Sequence, residues 1–427
     1  MADTVTDGRP TRAAISQEQS GWPERYGELA QQLLAAAGRA APVLISSTVD
    51  VDEIYAMDAP RLRSLIERSA VQGGLAAEVA HGVREQLRAE RDGELYWDWP
   101  QGTRWLQDAL GAPDRHQLGG TGPQAAWALD VLGAPSIMAL KRRHHEQLSV
   151  LPDNVLVCAQ GDLVRVRDLR SDDRLPPSKH TILEFSRGST LLGNPLGRSH
   201  RLILRFAPIA LEMDLEFLAM QGQLCRMAGA AVVSGLNGLA SSDRESLEWA
   251  GKITRMWADN GVALRHLELG DTRRPALFRE ILGHLRGLCS SVGLSLSELW
   301  GLWGSGGDVG TKALELAAAL GSTCVVIHAD QWSLAVHRDD REAIVRRLMV
   351  GNLLASARAV RGAPAADLVP FGRARYTDDL PLPGRLPGGW HLDCVPVPHE
   401  PHPLSTIGLG DTFTAGLLLA AALELTL

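Results

Sequence analysis

Beyond Ala230 the chain alternates between short apolar runs and stretches of helical period, and this alternation narrows the possible folds more than any other feature. AAVVSGLNGL, ALRHLELGD, LCSSVGLSLSEL and TCVVIHADQWSLAVHR each open on a strand-like run, and amphipathic segments separate most of them. Continuous apolar runs suit strands buried on both faces, which is the condition of a parallel sheet covered by helices on either side. Residues 43–45 form a similar run after a helix expected over about 24–38. The fold class expected is therefore α/β, a doubly wound body with helices on both faces of the sheet.

The segment 155–206 has a different period. VLVCAQGDLVRVRD, HTILEFSRG and SHRLILRFAP alternate apolar and polar residues, as half-exposed antiparallel strands do. Residues 60–92 carry Leu62, Leu65, Ile66, Val71, Leu75, Val79 and Val83 at roughly helical spacing. The resulting expectation is a single unit over 21–427, preceded by a disordered stretch over 1–20. Its large domain takes about 21–50, 119–154 and 207–427, and a smaller β-rich lid takes about 51–118 and 155–206.

Composition excludes several classes of function. A net charge of -7, from 43 basic and 50 acidic residues, supplies no overall positive field to draw a phosphate backbone, so nucleic acid is not the expected partner. No run is long and apolar enough for a membrane span, and the polar N-terminus does not read as a signal peptide. Five scattered cysteines without a CxxC pair read as buried free thiols, and the expected location is the cytoplasm. The scarcity of exposed-looking apolar stripes points to a monomer. Walker, GxSxG, GxGxxG and zinc-type spacings are absent.

Near the C-terminus, STIGLGDTFTAGLLLAAAL sets Gly408, Leu409, Gly410 and Asp411 between an apolar strand and an apolar helix. The tetrapeptide reads either as a capped turn or as an anion site, where bare amides meet a helix N-terminus and a carboxylate can take a proton. Gly119, Gly120 and Thr121 form a second glycine turn before a helix, read as close packing or as contact with a polar ligand. His266 and Glu268 end one strand and His328 another, either as a polar rim or as a place where a carboxylate holds Mg²⁺. Glu184, Arg187, Arg198 and Arg201 lie on alternating strands, where arginines are either surface residues or a phosphate-binding group. The His144–His145 pair reads as solvated surface.

Taken in order, these pieces carry more than any one of them. D-V-D-E-I at 50–54, G-G-T at 119–121, H-T-I-L-E-F at 180–185, S-G-L-N-G-L at 234–239, H-L-E at 266–268, S-V-G-L-S-L-S-E-L at 291–299, V-V-I-H-A at 325–329 and S-T-I-G-L-G-D-T at 405–412 succeed one another. The chain from about residue 40 onward resembles the ADP-dependent sugar kinases, the glucokinase/phosphofructokinase branch of the ribokinase-like fold. The resemblance implies an αβα sandwich with a β-rich lid, and transfer of the ADP β-phosphate to a hydroxyl of a sugar, sugar phosphate or polyol, releasing AMP. It implies Asp411 as general base and Gly408, Leu409 and Gly410 as the anion hole. Asp50, Asp52, Gly119, Gly120, Thr121, His180 and Glu184 would bind the acceptor. Arg201, His328, Thr406 and Ile407 would bind the nucleotide, and Glu268 with Glu298 would hold Mg²⁺. The chain has Asp50 where the family usually has Asn, GGT in place of GGQ or GGN, Ser295 at the head of the metal-organising NxxE, and Ala329 after His328. These departures leave the acceptor open. The same residues would also serve an ATP-dependent sugar or nucleoside kinase, or a kinase fold that binds sugar or nucleotide without turnover.

Overall fold

The protein is described here from a computed structural model, which covers residues 21–424 except 92, 208, 241–242, 271–273, 305 and 369–373. The expected disorder over 1–20 lies outside the described residues. In chain order the first strands are β1 (Val43–Ser46), β2 (Asp50–Ala56), β3 (Gly93–Tyr96), β4 (Arg115–Gly119), β5 (Ser136–Met138), β6 (Leu156–Ala159) and β7 (Asp162–Arg165). Next come β8 (Ser178–Phe185), a ribbon of β9 (Thr190–Leu191) and β10 (Asn194–Pro195), and β11 (His200–Arg205). The body then adds β12 (Ala230–Val233), β13 (Leu264–Glu268), β14 (Ser291–Ser295), β15 (Cys324–His328), β16 (Trp332–His337), β17 (Gly384–Leu386) and β18 (Trp390–Pro396).

An 11-stranded sheet runs β17-β18-β16-β15-β14-β13-β12-β1-β5-β6-β7. From β15 to β6 its neighbours are parallel, and antiparallel strands close both edges. The parallel strands are the apolar runs of the sequence: VLIS in β1, AAVV in β12 and CVVIH in β15 are buried along nearly their whole length. Each such side chain contributes roughly 1.5–3 kcal/mol on leaving water. One apolar core lies on each face of this sheet. The helix Arg244–Asp259 shows how a flanking element is set: Asp243 caps it through the Ser246 amide, and Leu247, Ile253 and Trp257 turn inward.

The helix Leu409–Glu424 is buried from Thr412 to Leu423 because it packs between the sheet and the helix Arg341–Arg361. Two glycines permit the approach. A Cβ on Gly416 would stand 2.7 Å from the Cα and N of Gly351, closer than side chains tolerate.

A five-stranded sheet, β3-β11-β8-β2-β4, stands apart. Its outer face packs on the helices Ala59–Gln72, Gly74–Ala89 and Gly102–Leu110 around Tyr55, Leu183, Leu202 and Leu204. Alternation along the strands sends Asp50, Asp52, His180, Ile182, Arg201, Ile203 and Arg205 to the other face, toward the C-terminal ends of the body strands.

Two details differ from the sequence reading. The helix expected over 60–92 is two helices, broken where Gly73 and Gly74 take φ of 66° and 55°. Val71, assigned to its apolar stripe, is 90% exposed. Residues 155–165, expected in the lid, form β6 and β7 at the edge of the large sheet, where Leu156 pairs with Ile137 of β5. Their alternating pattern is that of a hairpin, turned at Gln160 and Gly161 with φ of 56° and 83°. Alternation reports a half-exposed strand without naming its sheet.

Candidate active site

The C-terminal ends of β1, β12, β13 and β14 meet the Asp50–His180 face of the small sheet across a cleft of about 200 Å³. Open α/β sheets place ligands at this edge, because loops leave the strands there and helix N-termini point inward. From the small sheet, Asp50, Asp52, His180, Arg201 and Glu94 line it. The body supplies Asn237, Glu268, Glu298, Gly408 and Asp411, and the turn between the two parts supplies Gly119, Gly120 and Thr121.

On the small-sheet side, β2 and β8 run parallel with Asp52 beside His180 in register. His180 Nδ1 lies 3.1 Å from Asp52 Oδ1, and its Nε2 stands 3.9 Å from Asp50 Oδ1. Burial works against the charged imidazole, but the two carboxylates outweigh it and raise its pKa above the usual value. Asp50 is fully buried and its Oδ2 accepts from the Thr48 hydroxyl at 3.0 Å. Its Oδ1 and His180 Nε2 are buried polar atoms without a hydrogen-bond partner among the described residues. Both residues line the cleft. Orphaned polar atoms of this kind match a ligand that brings hydroxyl groups. Gly119 makes the cluster possible: a Cβ there would stand 2.2 Å from Asp52 Oδ1.

On the body side, Gly408 takes a φ of 69° and the helix begins at Leu409, which sets Asp411 in its first turn. Burial raises the pKa of Asp411, and Arg358 and a hydrogen bond from Thr121 oppose that shift. Gly410 lies against His328, where a Cβ would come 2.9 Å from the ring. Glu268, at the end of β13, is 7% exposed. Its Oε2 accepts from Thr414 Oγ1 at 2.9 Å and lies 3.0 Å from His266 Nε2, while His328 Nε2 is 3.8 Å from Oε1. Burial alone would raise its pKa, but the hydrogen bond with His266 and the nearby His328 hold it at about 2. Burial and the charge of Glu268 raise the pKa of Glu298, whose Oε2 accepts from the Ser295 amide at 2.6 Å in a capping box. His328 in turn is shifted upward; burial disfavours its charge, and Glu268, Glu298 and Asp411 outweigh that.

Most of the sequence-assigned residues gather at this cleft: Asp50, Asp52, Gly119, Gly120, Thr121, His180, Arg201, Glu268, Glu298, Ile407, Gly408 and Asp411 line it. Gly410 and His328 stand just behind, against each other, and Thr406 accepts from Arg201 Nη1 at 3.4 Å. Leu409 does not line the cleft. Neither does Glu184, which continues the His180–Ile182 face but lies farther along β8, where Arg115 binds both its oxygens at 2.7 and 2.8 Å. Among the residues that sequence reasoning missed are Asn237, Glu94 with its partner Arg205 across β3 and β11, and Arg358. Arg358 is 2% exposed in the helix Arg341–Arg361, and its Nη1 donates to Gln124 Oε1 and Thr412 Oγ1 at 2.8 and 2.9 Å. A single arginine inside LLASARAV was the available signal. On the surface, His144, His145 and Asp173 bring ligand-type atoms within 4.8 Å of one another, and His145 and Asp173 already share a 3.0 Å hydrogen bond.

A half-buried carboxylate beside a glycine turn and a helix N-terminus, facing a polar cluster across a cleft at the strand ends, suits group transfer of the kinase class. Residues 93–351, more than half the chain, match the family described as the ADP-specific phosphofructokinase/glucokinase conserved region. The chain belongs to this family of ADP-dependent sugar kinases, phosphotransferases with a sugar hydroxyl as acceptor. No curated protein matches the sequence. Among solved structures, a phosphofructokinase from Pyrococcus horikoshii OT3 with AMP superposes with a TM-score of 0.73 at 17% identity, over 91% of this chain and 99% of that one. An ADP-dependent kinase in complex with fructose-6-phosphate and ADPbetaS gives 0.75 at 17% identity, over 95% and 98%. The last common ancestor of ADP-dependent phosphofructokinases from Methanosarcinales gives 0.73 at 19% identity, over 95% and 99%. The shared fold is the ribokinase-like αβα sandwich with a smaller β-rich part. Among the described residues, no helix is long and apolar enough to cross a membrane.

Proposed function

We propose that this protein transfers the β-phosphoryl group of ADP to a hydroxyl of a sugar or sugar-like polyol and releases AMP. The observation that carries the reading is the placement of Asp411 and the Gly408 turn opposite the Asp50–Asp52–His180 cluster, across one cleft. The cluster binds the acceptor's hydroxyl groups with its unpaired oxygen and nitrogen, and orients one hydroxyl toward Asp411. Asp411 accepts that proton as the phosphorus–oxygen bond forms; a carboxylate raised by burial is better matched to this task than an exposed one. The amides of the turn and the helix N-terminus offset charge on the transferring group. Arg201 lies on the phosphate side, where it already reaches Thr406. The small sheet acts as a lid that excludes water.

The family's Mg²⁺ finds a suitable donor set. Glu268 and Glu298 line one cleft, and the charge of Glu268 raises the pKa of Glu298, a repulsion that a divalent cation relieves. When bound, Mg²⁺ supplies positive charge to the phosphates. Asp411→Asn tests the base. With ADP, Mg²⁺ and saturating acceptor, kcat is expected to fall at least tenfold with the fold intact; more than about a tenth of wild-type kcat would overturn the assignment.

A further inference from the structure

Arg358 is a buried cation that feels the charge of Asp411 but makes no ion pair with a carboxylate among the described residues. Its guanidinium is packed against the Gly408 turn so closely that a Cβ on Gly408 would stand 2.4 Å from Cζ. Its two bonded partners, Gln124 and Thr412, are neutral. Its Nε is buried and has no partner, and no carboxylate lies within ion-pair distance of it among the described residues. Burial lowers its pKa to about 10, which leaves it charged at neutral pH. A cation taken out of water is costly unless a negative charge compensates it. A purely structural guanidinium would be expected to find a carboxylate. This one instead lies directly behind the turn that opens the helix Leu409–Glu424.

We propose that Arg358 is a positioning residue whose charge, acting through the Gly408 turn, selects a terminal phosphate on the nucleotide. Asp411 offsets the burial of that charge only in part, and a phosphate on the ligand completes the compensation. Thr412 and Gln124 fix the guanidinium plane, and the glycine lets that plane lie against the backbone whose amides face the anion. This rests on the reading above, in which the turn receives the β-phosphate of ADP.

The test is calorimetric binding of ADP and of AMP, in 5 mM-scale magnesium chloride, to the whole protein. AMP lacks the phosphate in question, so the ratio of the two affinities isolates it. Arg358→Met is expected to reduce the wild-type preference for ADP by at least about tenfold and leave AMP within about threefold. Equal losses for both nucleotides, or an unchanged ratio, would overturn the role of Arg358 and leave the functional reading standing. Wild-type protein that binds no ADP would overturn the functional reading, and this inference with it. Should Arg358→Met lose its fold by circular dichroism, Arg358→Lys and Arg358→Gln decide: lysine is expected to keep the preference within about fivefold and glutamine to lose it. Equal ratios in those two variants would overturn the proposal.

Discussion

Replacing Gly119 by alanine isolates the acceptor side of the cleft. The new methyl would lie 2.2 Å from Asp52 Oδ1 and 2.7 Å from its Cγ, where ordinary contact begins at 3.4 Å. Gly119 is outside the left-handed region, so alanine brings no backbone strain and the collision is the whole perturbation. The register pins both strands, with Asp50 opposite Gly119 and Asp52 opposite Gln117. The carboxylate must therefore move by about 1.2 Å, the gap between those contact distances. A shift of that size away from His180 takes the 3.1 Å contact beyond hydrogen-bond range. A hydrogen bond to a charged group contributes about 1.5–3 kcal/mol, equivalent to roughly 10–150-fold in an equilibrium constant. The acceptor KM of Gly119→Ala is thus expected to rise by one to two orders of magnitude, with a smaller change in the KM for ADP. Steady-state kinetics on the purified variant, with a thermal melt to verify folding, measures this. An acceptor KM within twofold of wild type would refute the placement of Asp52 in the acceptor site.

Two further outcomes test the scaffold. Gly416→Ala drives a methyl into the backbone of Gly351 and the carbonyl of Val350, each at 2.7 Å, and is expected to cost about 1–3 kcal/mol or more in a denaturant titration. Asp393 pairs β18 with β16 and the following helix through His337 Nε2 at 3.0 Å and Arg341 Nη2 at 2.5 Å. Burial opposes its charge, but these partners hold its pKa at about 2, below the ordinary 3.8. Because the folded-state pKa is depressed, the stabilisation is fully present above about pH 4 and is lost as pH falls toward 2. The stability gap between wild type and Asp393→Asn is expected to be constant from pH 7 to 5 and to narrow below 4, measured by urea unfolding.

The body of the fold was legible because parallel strands buried on both faces leave continuous apolar runs such as VLIS, AAVV and CVVIH. The cleft was legible where glycine stands beside carboxylate, at Gly119 and at Gly408 through Asp411. Sheet membership was not. The β6–β7 hairpin alternates as lid strands do, and only its pairing with Ile137 assigns it to the body. Glu184 illustrates a related limit: it shares a face with His180 and Ile182, but distance along β8 and the Arg115 pair remove it from the cleft. Arg358 was missed because a helical arginine is ordinarily solvent-facing. Its meaning comes from Gly408, 50 residues later in the chain and in contact only in the fold.

The most direct measurement of the central claim follows both products of one reaction. Wild-type protein is incubated with Mg²⁺ and either ADP or ATP against a panel of sugars, sugar phosphates, cyclitols and nucleosides, and nucleotide and acceptor products are quantified together. The expected result is AMP and a phosphorylated sugar or polyol in equal amounts from ADP, and at least tenfold less turnover with ATP. ATP as the preferred donor, or ADP bound with no AMP formed across the panel, would contradict it.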